Sequence, residues 1–243
     1  MRFGHAKIAA MSAPATSIAA NLEEIRERIA RAAERAGRAA ADVTLVAVSK
    51  TFPAEAIRAA YSAGVRHFGE NRVQEWESKA PLLGDLDATW HLIGHLQSNK
   101  ARRAAHLFHR VDSVDSIALA QKLDAAAAEE GKCLRVLIEV HLGEETTKSG
   151  VAEAELTELA REIAMLPQLE LLGLMAIPPF TDDPEGARPY FRKLREQRDG
   201  LSRAFGKALP VLSMGMSHDF EVAIEEGATE IRVGTAVFGA RTP

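Results

Sequence analysis

Apolar residues recur along this chain in two rhythms that take turns. From Asn21 to about Arg38, Leu22, Ile25, Ile29 and Ala32 fall at spacings of three and four, the stripe of an amphipathic helix. From Val43 onward short apolar runs alternate with longer helical stretches. VTLVAVS (43–49) predicts a strand, and PAEAIRAAYSAG (53–64) a helix with Pro53 at its start and Gly64 at its end. VRHFG (65–69) precedes RVQEWESKAPLL (72–83), and WHLIG (90–94) precedes NKARRAAHL (99–107). FHRVDSV (108–114) leads to DSIALAQKLDAAAAEEG (115–131), and LRVLIEVHL (134–142) to VAEAELTELAREIAML (151–166). LELLGLMAI (169–177) is followed by a long helix within 186–205, PVLSMG (210–215) by DFEVAIEEG (219–227), and EIRVGT (230–235) by a terminal turn, AVFGA.

Repeated strand–helix units pair in parallel through right-handed crossovers. Eight of them in about 200 residues favour a closed (β/α)8 TIM-type barrel, with the first helix as an extra N-terminal element, over an open doubly wound sheet. No Pro/Gly-rich linker divides the chain, so residues 18–243 read as one barrel domain. The stretch before it, MRFGHAKIAAMSAPATS (1–17), carries three basic residues and no acid. Its apolar part is too short and interrupted for a secretory signal. It is expected to be a disordered tail, or an extended start ahead of Met11.

Composition then excludes partners. A net charge of −4 leaves no electrostatic footprint for nucleic acid or an anionic membrane, and no apolar run approaches the length of a bilayer span. The single cysteine, Cys133, cannot close an internal disulfide, which points to a reducing, cytoplasmic setting; its place beside an apolar run predicts a small buried thiol.

In such a barrel, functional groups gather at the C-terminal ends of the strands. Lys50 ends the first strand and Gly69, Glu70 and Asn71 the second; GHLQSNK, EETTKSG, IPPF, GMSHD and GT follow later strands. The loops after strands seven and eight, where barrels commonly hold phosphate, read SMGMSHD and RVGTAVFG. Gly215 and Gly234 let backbone approach an anion, while Ser217 and Thr235 place hydroxyls at helix starts. Each loop alone reads better as a plain turn with an N-cap; together they favour phosphate.

Thr44, Val46, Val48 and Lys50 share a strand face. A lysine at the barrel mouth is partly desolvated, as an amine that attacks an aldehyde requires. Opposite a phosphate cup, it fits either a sugar-phosphate aldolase or pyridoxal 5′-phosphate (PLP). Arg232 alternates with Ile231 and Val233 and so faces the barrel interior. There it pairs with an inward acid such as Glu139 or Glu70, or meets the ring nitrogen of PLP.

The blocks LVAVSKTFP, HFGENRVQE, WHLIGHLQSNK, SVDS, KSG, GLMAIPP and LSMGMSHDFEVAIEEGATEIRVGTAVFGAR resemble the pyridoxal phosphate homeostasis proteins, a family similar to the barrel half of alanine racemases. The resemblance runs from about residue 20 to Arg241. It implies PLP as cofactor, Lys50 as the lysine of the internal aldimine, Ser217, Gly234 and Thr235 as the phosphate cup, and Arg232 facing the pyridine nitrogen. It also implies Asn71 and Met214 as residues lining the pocket. His218 is given no role.

An arginine at the ring nitrogen weakens the electron sink. Racemisation needs a second base opposite the lysine. In alanine racemases that base is a tyrosine from a C-terminal β domain of the partner subunit. This sequence stops two residues after FGAR, so no such domain is expected, and Tyr61 and Tyr190 are expected far from the mouth. The reading is therefore a carrier, expected as a monomer, that binds, buffers or delivers PLP to apo PLP-dependent enzymes. Its rivals are a PLP-dependent amino-acid racemase and a sugar-phosphate aldolase. His91 and His95 straddle a strand end and are not expected to bind zinc, Ser217–Asp219 is no triad, and ARRAAHLFHR reads as a solvated face.

Overall fold

The computed structural model describes residues 15–143 and 149–239, with side chains from residue 18. Eight parallel strands close into a barrel in sequential order. They are β1 (Thr44–Val48), β2 (His67–Glu70), β3 (Thr89–Leu92), β4 (Arg110–Val114), β5 (Leu134–Glu139), β6 (Leu169–Met175), β7 (Val211–Ser213) and β8 (Glu230–Val233). The helices between them are α2 (Ala54–Ser62), α3 (Val73–Leu83), α4 (Ala101–Leu107), α5 (Ile117–Glu129), α6 (Glu153–Met165), α7 (Arg188–Phe205) and α8 (Phe220–Glu225). A leading helix α1 (Ala15–Arg35) precedes β1, and the stretch expected to be a terminal turn is a one-turn helix, α9 (Thr235–Phe238).

Helix α1 starts at Ala15, inside the stretch set aside as a tail, because the apolar stripe begins at Ile18, one turn before Leu22. Residues 1–14, with the rest of that expectation, lie outside the described residues, as do most of EETTKSG and Arg241. The stripe Ile18, Leu22, Ile25 and Ile29 is buried. Arg28 pairs with Glu221 at 2.8 Å and Arg35 with Glu225 at 2.6 Å, while the Asn21 side chain donates to the Val237 carbonyl. The helix thereby fills the outer layer where α8 and α9 are too short to cover β8.

Strand alternation sorts the side chains into two cores. Ala47, Phe68, Trp90, Leu92, Val111, Ile231 and Val233 pack outward against the helices. Trp90 stacks between Phe68, at 5.0 Å, and Trp76 of α3, at 3.8 Å. Val46, Val48, Ile93, Leu137 and Met175 are buried apart from that cluster, inside the barrel. Barrel interiors are commonly layers of branched apolar residues. Here one level is charged: Arg110 grips Asp112 through two bonds of 2.6 and 2.9 Å, and its Nη2 reaches both Glu230 oxygens at 2.6 Å.

Cys133 corrects an expectation. It is exposed, because β5 begins one residue later and Cys133 still belongs to the turn from α5. The basic helix α4 behaves as read: Arg102 and Arg103 pair with Glu129 and Glu77 at its flanks. Among the described residues no helix is long and apolar enough to cross a membrane.

Candidate functional site

The end of β1 makes the first wall. Ser49 turns its hydroxyl outward to Glu70, at 2.8 Å, and its amide hydrogen-bonds the Gly69 carbonyl at 2.9 Å. Lys50, half-buried, comes next and continues the inward face of Val46 and Val48 to the mouth. The chain then turns through Thr51, which sits at φ = 69°, and closes with Phe52 N–H on the Ser49 carbonyl. A β-branched residue in the left-handed region is strained and is tolerated only where surroundings hold it. Phe52 stacks on Phe238 of α9 at 4.7 Å, tying the lysine turn to the far side of the site.

That far side is the pair of loops after β7 and β8. The Thr235 hydroxyl donates to Ser217 Oγ at 3.2 Å, and Ala236 N–H reaches the same oxygen at 3.4 Å. Two hydroxyls and the start of α9 thus meet at one spot of the mouth. The glycines do different jobs there. Gly215 has φ = 91°, and a Cβ would lie 2.6 Å from Ala223 Cβ and 2.9 Å from Phe220 Cα, so the β7–α8 turn itself demands glycine. Gly234 has ordinary φ, and a Cβ would approach nothing closer than Val48, at 3.4 Å. Its bare backbone leaves room between the Lys50 strand and the hydroxyl pair. Two hydroxyls, the start of a helix and a glycine without a packing reason fit a phosphate group.

Arg232 lies between these walls. It is buried, and it donates to Ser213 Oγ and the Ala176 carbonyl, each at 2.8 Å. Burial lowers its pKa from the usual arginine value, while Glu230, Asp112, Glu139 and Asp219 pull the other way. The expected ion pair with Glu70 does not form. Phe68 and Glu70 alternate outward, and Glu70 meets Ser49 and Lys79 of α3 instead. Glu139, at the mouth end of β5, is buried with Oε2 lacking a hydrogen-bond partner among the described residues. Desolvation pushes its carboxyl up to about 7; Arg232 opposes the rise and Asp115 adds to it.

Asn71 is half-buried beside β3, with its backbone pressed on Gly94, where a Cβ would meet its carbonyl oxygen at 2.4 Å. It lines a cavity of about 420 Å³ with Arg72, Gln74, His95, Gln97 and Lys100. Met214 is fully buried among the outward-packed residues, so its side chain faces the helices rather than the mouth. The structure therefore brings Lys50, Ser217, Arg232, Gly234 and Thr235 to one mouth, with Asn71 at its rim.

The other constellations separate as expected. His91 lies inside the barrel, 3.0 Å from His67 and 3.4 Å from Asp112, whereas His95 is on the rim, 3.3 Å from Asp115. His91, Asp112 and Glu230 have metal-ligand spacing, but the Arg110 guanidinium already sits on both carboxylates. In the SHD run, His218 bonds the Thr181 carbonyl and Asp219 accepts from Met216 N–H, so the two diverge. Tyr61 stacks under Arg66 at 4.1 Å, at the end of the barrel opposite the mouth, whereas Tyr190, in the first turn of α7, corrects the expectation: it lies at the mouth end, in the outer layer packed against the core.

The chain is similar to known proteins over most of its length. The model of the alanine racemase N-terminal domain matches residues 20–242. The pyridoxal phosphate homeostasis protein of Aquifex aeolicus is 50% identical over 220 residues, 90% of this chain and 96% of its own length. That of Pseudomonas aeruginosa is 46% identical over 226 residues, 93% and 96%. PipY of Synechococcus elongatus, solved with PLP bound, superposes with a TM-score of 0.82 at 42% identity, covering 91% of this chain and all of PipY. Alanine racemase from Corynebacterium glutamicum shares the fold at 20% identity, with a TM-score of 0.66 over 93% of this chain and 61% of that enzyme.

Proposed function

This chain belongs to the family of the pyridoxal phosphate homeostasis proteins, and on that premise we propose that it binds PLP reversibly through Lys50 and buffers or delivers it inside the cell. The observation that carries this reading is the meeting of the Lys50 turn with the Ser217–Thr235 pair, joined by the Phe52–Phe238 stack and separated by the bare backbone of Gly234. When bound, PLP supplies an aldehyde that condenses reversibly with a primary amine and loses water. Lys50 provides that amine. Ser217, Thr235 and the amides around Gly234 and Ala236 hold the phosphate. Arg232, fixed by Ser213 and Ala176, presents a permanent cation toward the ring nitrogen and discourages its protonation. Asn71 completes the pocket at its rim.

The same parts favour carriage over turnover. Tyr61 is at the wrong end of the barrel, and the cation of Arg232 weakens the ring as an electron sink. In this reading the protein works as a cytoplasmic monomer, keeps a reactive aldehyde sequestered, and hands it to apo PLP-dependent enzymes, with effects on amino-acid and keto-acid pools. The test is the visible spectrum of the full chain after PLP addition, then borohydride reduction and peptide mapping. A yellow band that reduction converts to a pyridoxyl group on Lys50, and that Lys50→Ala lacks, is the expected result. A colourless protein without the adduct sinks the proposal.

One observation favours weak racemase activity as a second reading. Glu139 is a buried carboxyl at the mouth that titrates near 7, a useful range for an acid–base group. Exchange of the α-hydrogen of L-alanine in heavy water, lost in Glu139→Gln, is its signature; no exchange above the PLP-only rate removes it.

A further inference from the structure

Helix α3 lies outside the barrel, yet two of its residues reach the backbone on either side of Lys50. Lys79 Nζ donates to the Ser49 carbonyl at 3.0 Å, to Glu70 Oε1 at 3.1 Å and to Glu75 Oε1 at 2.7 Å, so all three of its hydrogens have acceptors. Glu75 Oε1 in turn accepts from Thr51 N–H. Glu70, fully buried, takes the Ser49 hydroxyl at 2.8 Å. The Ser49 carbonyl belongs to the peptide unit preceding the Lys50 Cα, and the Thr51 N–H to the one following it. Fixing both planes fixes φ and ψ of Lys50, and therefore the direction in which its side chain leaves the backbone. The same contacts hold Thr51 at φ = 69°, a conformation that a free chain would leave.

A solvated Glu–Lys pair at i, i+4 on a helix needs none of this. Here the Lys79 side chain is 12% exposed, and its bonds end on the backbone of one turn. We propose that Lys79, Glu75 and Glu70 form a clamp that aims Lys50 across the mouth: positioning residues for the amine that takes PLP. This rests on the reading of Lys50 given above. The clamp's hydrogen bonds end on the lysine turn and on Glu70, not on the Ser217–Thr235 pair, to which that turn is linked by the Phe52–Phe238 stack.

That separation supplies the test. Pyridoxine 5′-phosphate has the ring and phosphate of PLP with an alcohol in place of the aldehyde, so its affinity reports the cup without the lysine. In the full-length chain, Lys79→Met is expected to weaken PLP binding about tenfold or more, as misaimed reactive groups do, while pyridoxine 5′-phosphate binding stays within about twofold. Glu75→Ala, a milder change that frees Thr51 but leaves Lys79 on Glu70, is expected to shift the ratio of the two affinities in the same direction, and it serves if Lys79→Met fails to fold. Equal weakening of both ligands, or unchanged PLP binding in a folded variant, overturns the clamp. A wild type that makes no borohydride-trapped adduct on Lys50 overturns the clamp together with the Lys50 reading, whereas a wild type that makes it alongside non-selective variants overturns the clamp alone.

Discussion

Arg110 and Glu230 meet across the full width of the barrel, one Nη2 of the guanidinium lying 2.6 Å from each carboxylate oxygen, although they stand 120 residues apart on β4 and β8. The pair is nearly enclosed, and Arg110 also holds Asp112 on its own strand. Together these charges form a floor beneath Arg232, and they draw on its charge from below.

Such a pair contributes through what its loss leaves behind. Arg110→Met strands two carboxylates in the interior and is expected to cost about 3–5 kcal/mol. Glu230→Gln is expected to cost less, because Arg110 keeps its two bonds to Asp112. Urea midpoints of the two variants order them; a loss below about 1 kcal/mol for Arg110→Met contradicts this account of the floor.

The two loop glycines should separate fold from function. Gly215→Ala places a methyl on Ala223 and Phe220 in a left-handed conformation and is expected to destabilise the protein by about 1–3 kcal/mol. Gly234→Ala meets only ordinary contacts, so its melting temperature should stay near wild type while affinity for pyridoxine 5′-phosphate falls. Normal affinity in Gly234→Ala places the phosphate elsewhere.

The hydroxyl pair gives a graded version of the same test. Ser217→Ala and Thr235→Val each remove one donor to a charged oxygen, worth about 1.5–3 kcal/mol, so each should weaken phosphate-ester binding about tenfold or more. Because the two hydroxyls touch, the double variant is expected to be non-additive.

Two interior groups give opposite pH slopes. Burial lifts Glu139 from 4.5 to about 7, so the folded state keeps a proton that the unfolded state has released; stability present at low pH is lost as pH rises across that window. His67 is lowered from 6.5 to about 4, by burial first and then by His91; the folded state stays neutral while the unfolded one charges, so stability is lost as pH falls across that window. In the overlap the two partly cancel. Glu139→Gln should therefore show stability rising more steeply with pH between about 4.5 and 7 than wild type, and His67→Gln should show the reverse. Urea midpoints that stay parallel across this range for all three proteins would remove both assignments.

The alternation of apolar runs was enough to specify eight parallel units and one barrel, because strand and helix periods differ and each βα crossover has one hand. It was enough, too, to put Lys50, Ser217, Arg232 and Thr235 at the mouth, since the C-terminal end of each strand is legible from where its apolar run stops. Glu70 shows the limit: it is one of two acids that the sequence offers as an inward partner for Arg232, but one step of alternation sends it outward to Lys79. Glu75 and Lys79 lie at i, i+4 on α3, a spacing that carries no information about the backbone beyond the helix. Cys133 sat beside an apolar run yet on the solvent side of the strand's first residue. Local pattern, then, determined the elements and the side of each one that is buried. The three-dimensional closure of the barrel decided which charges meet, because Arg110 with Glu230, Ser217 with Thr235 and Lys79 with the Ser49 carbonyl are contacts between distant strands, loops and helices that only the packing of all eight units brings within hydrogen-bond reach.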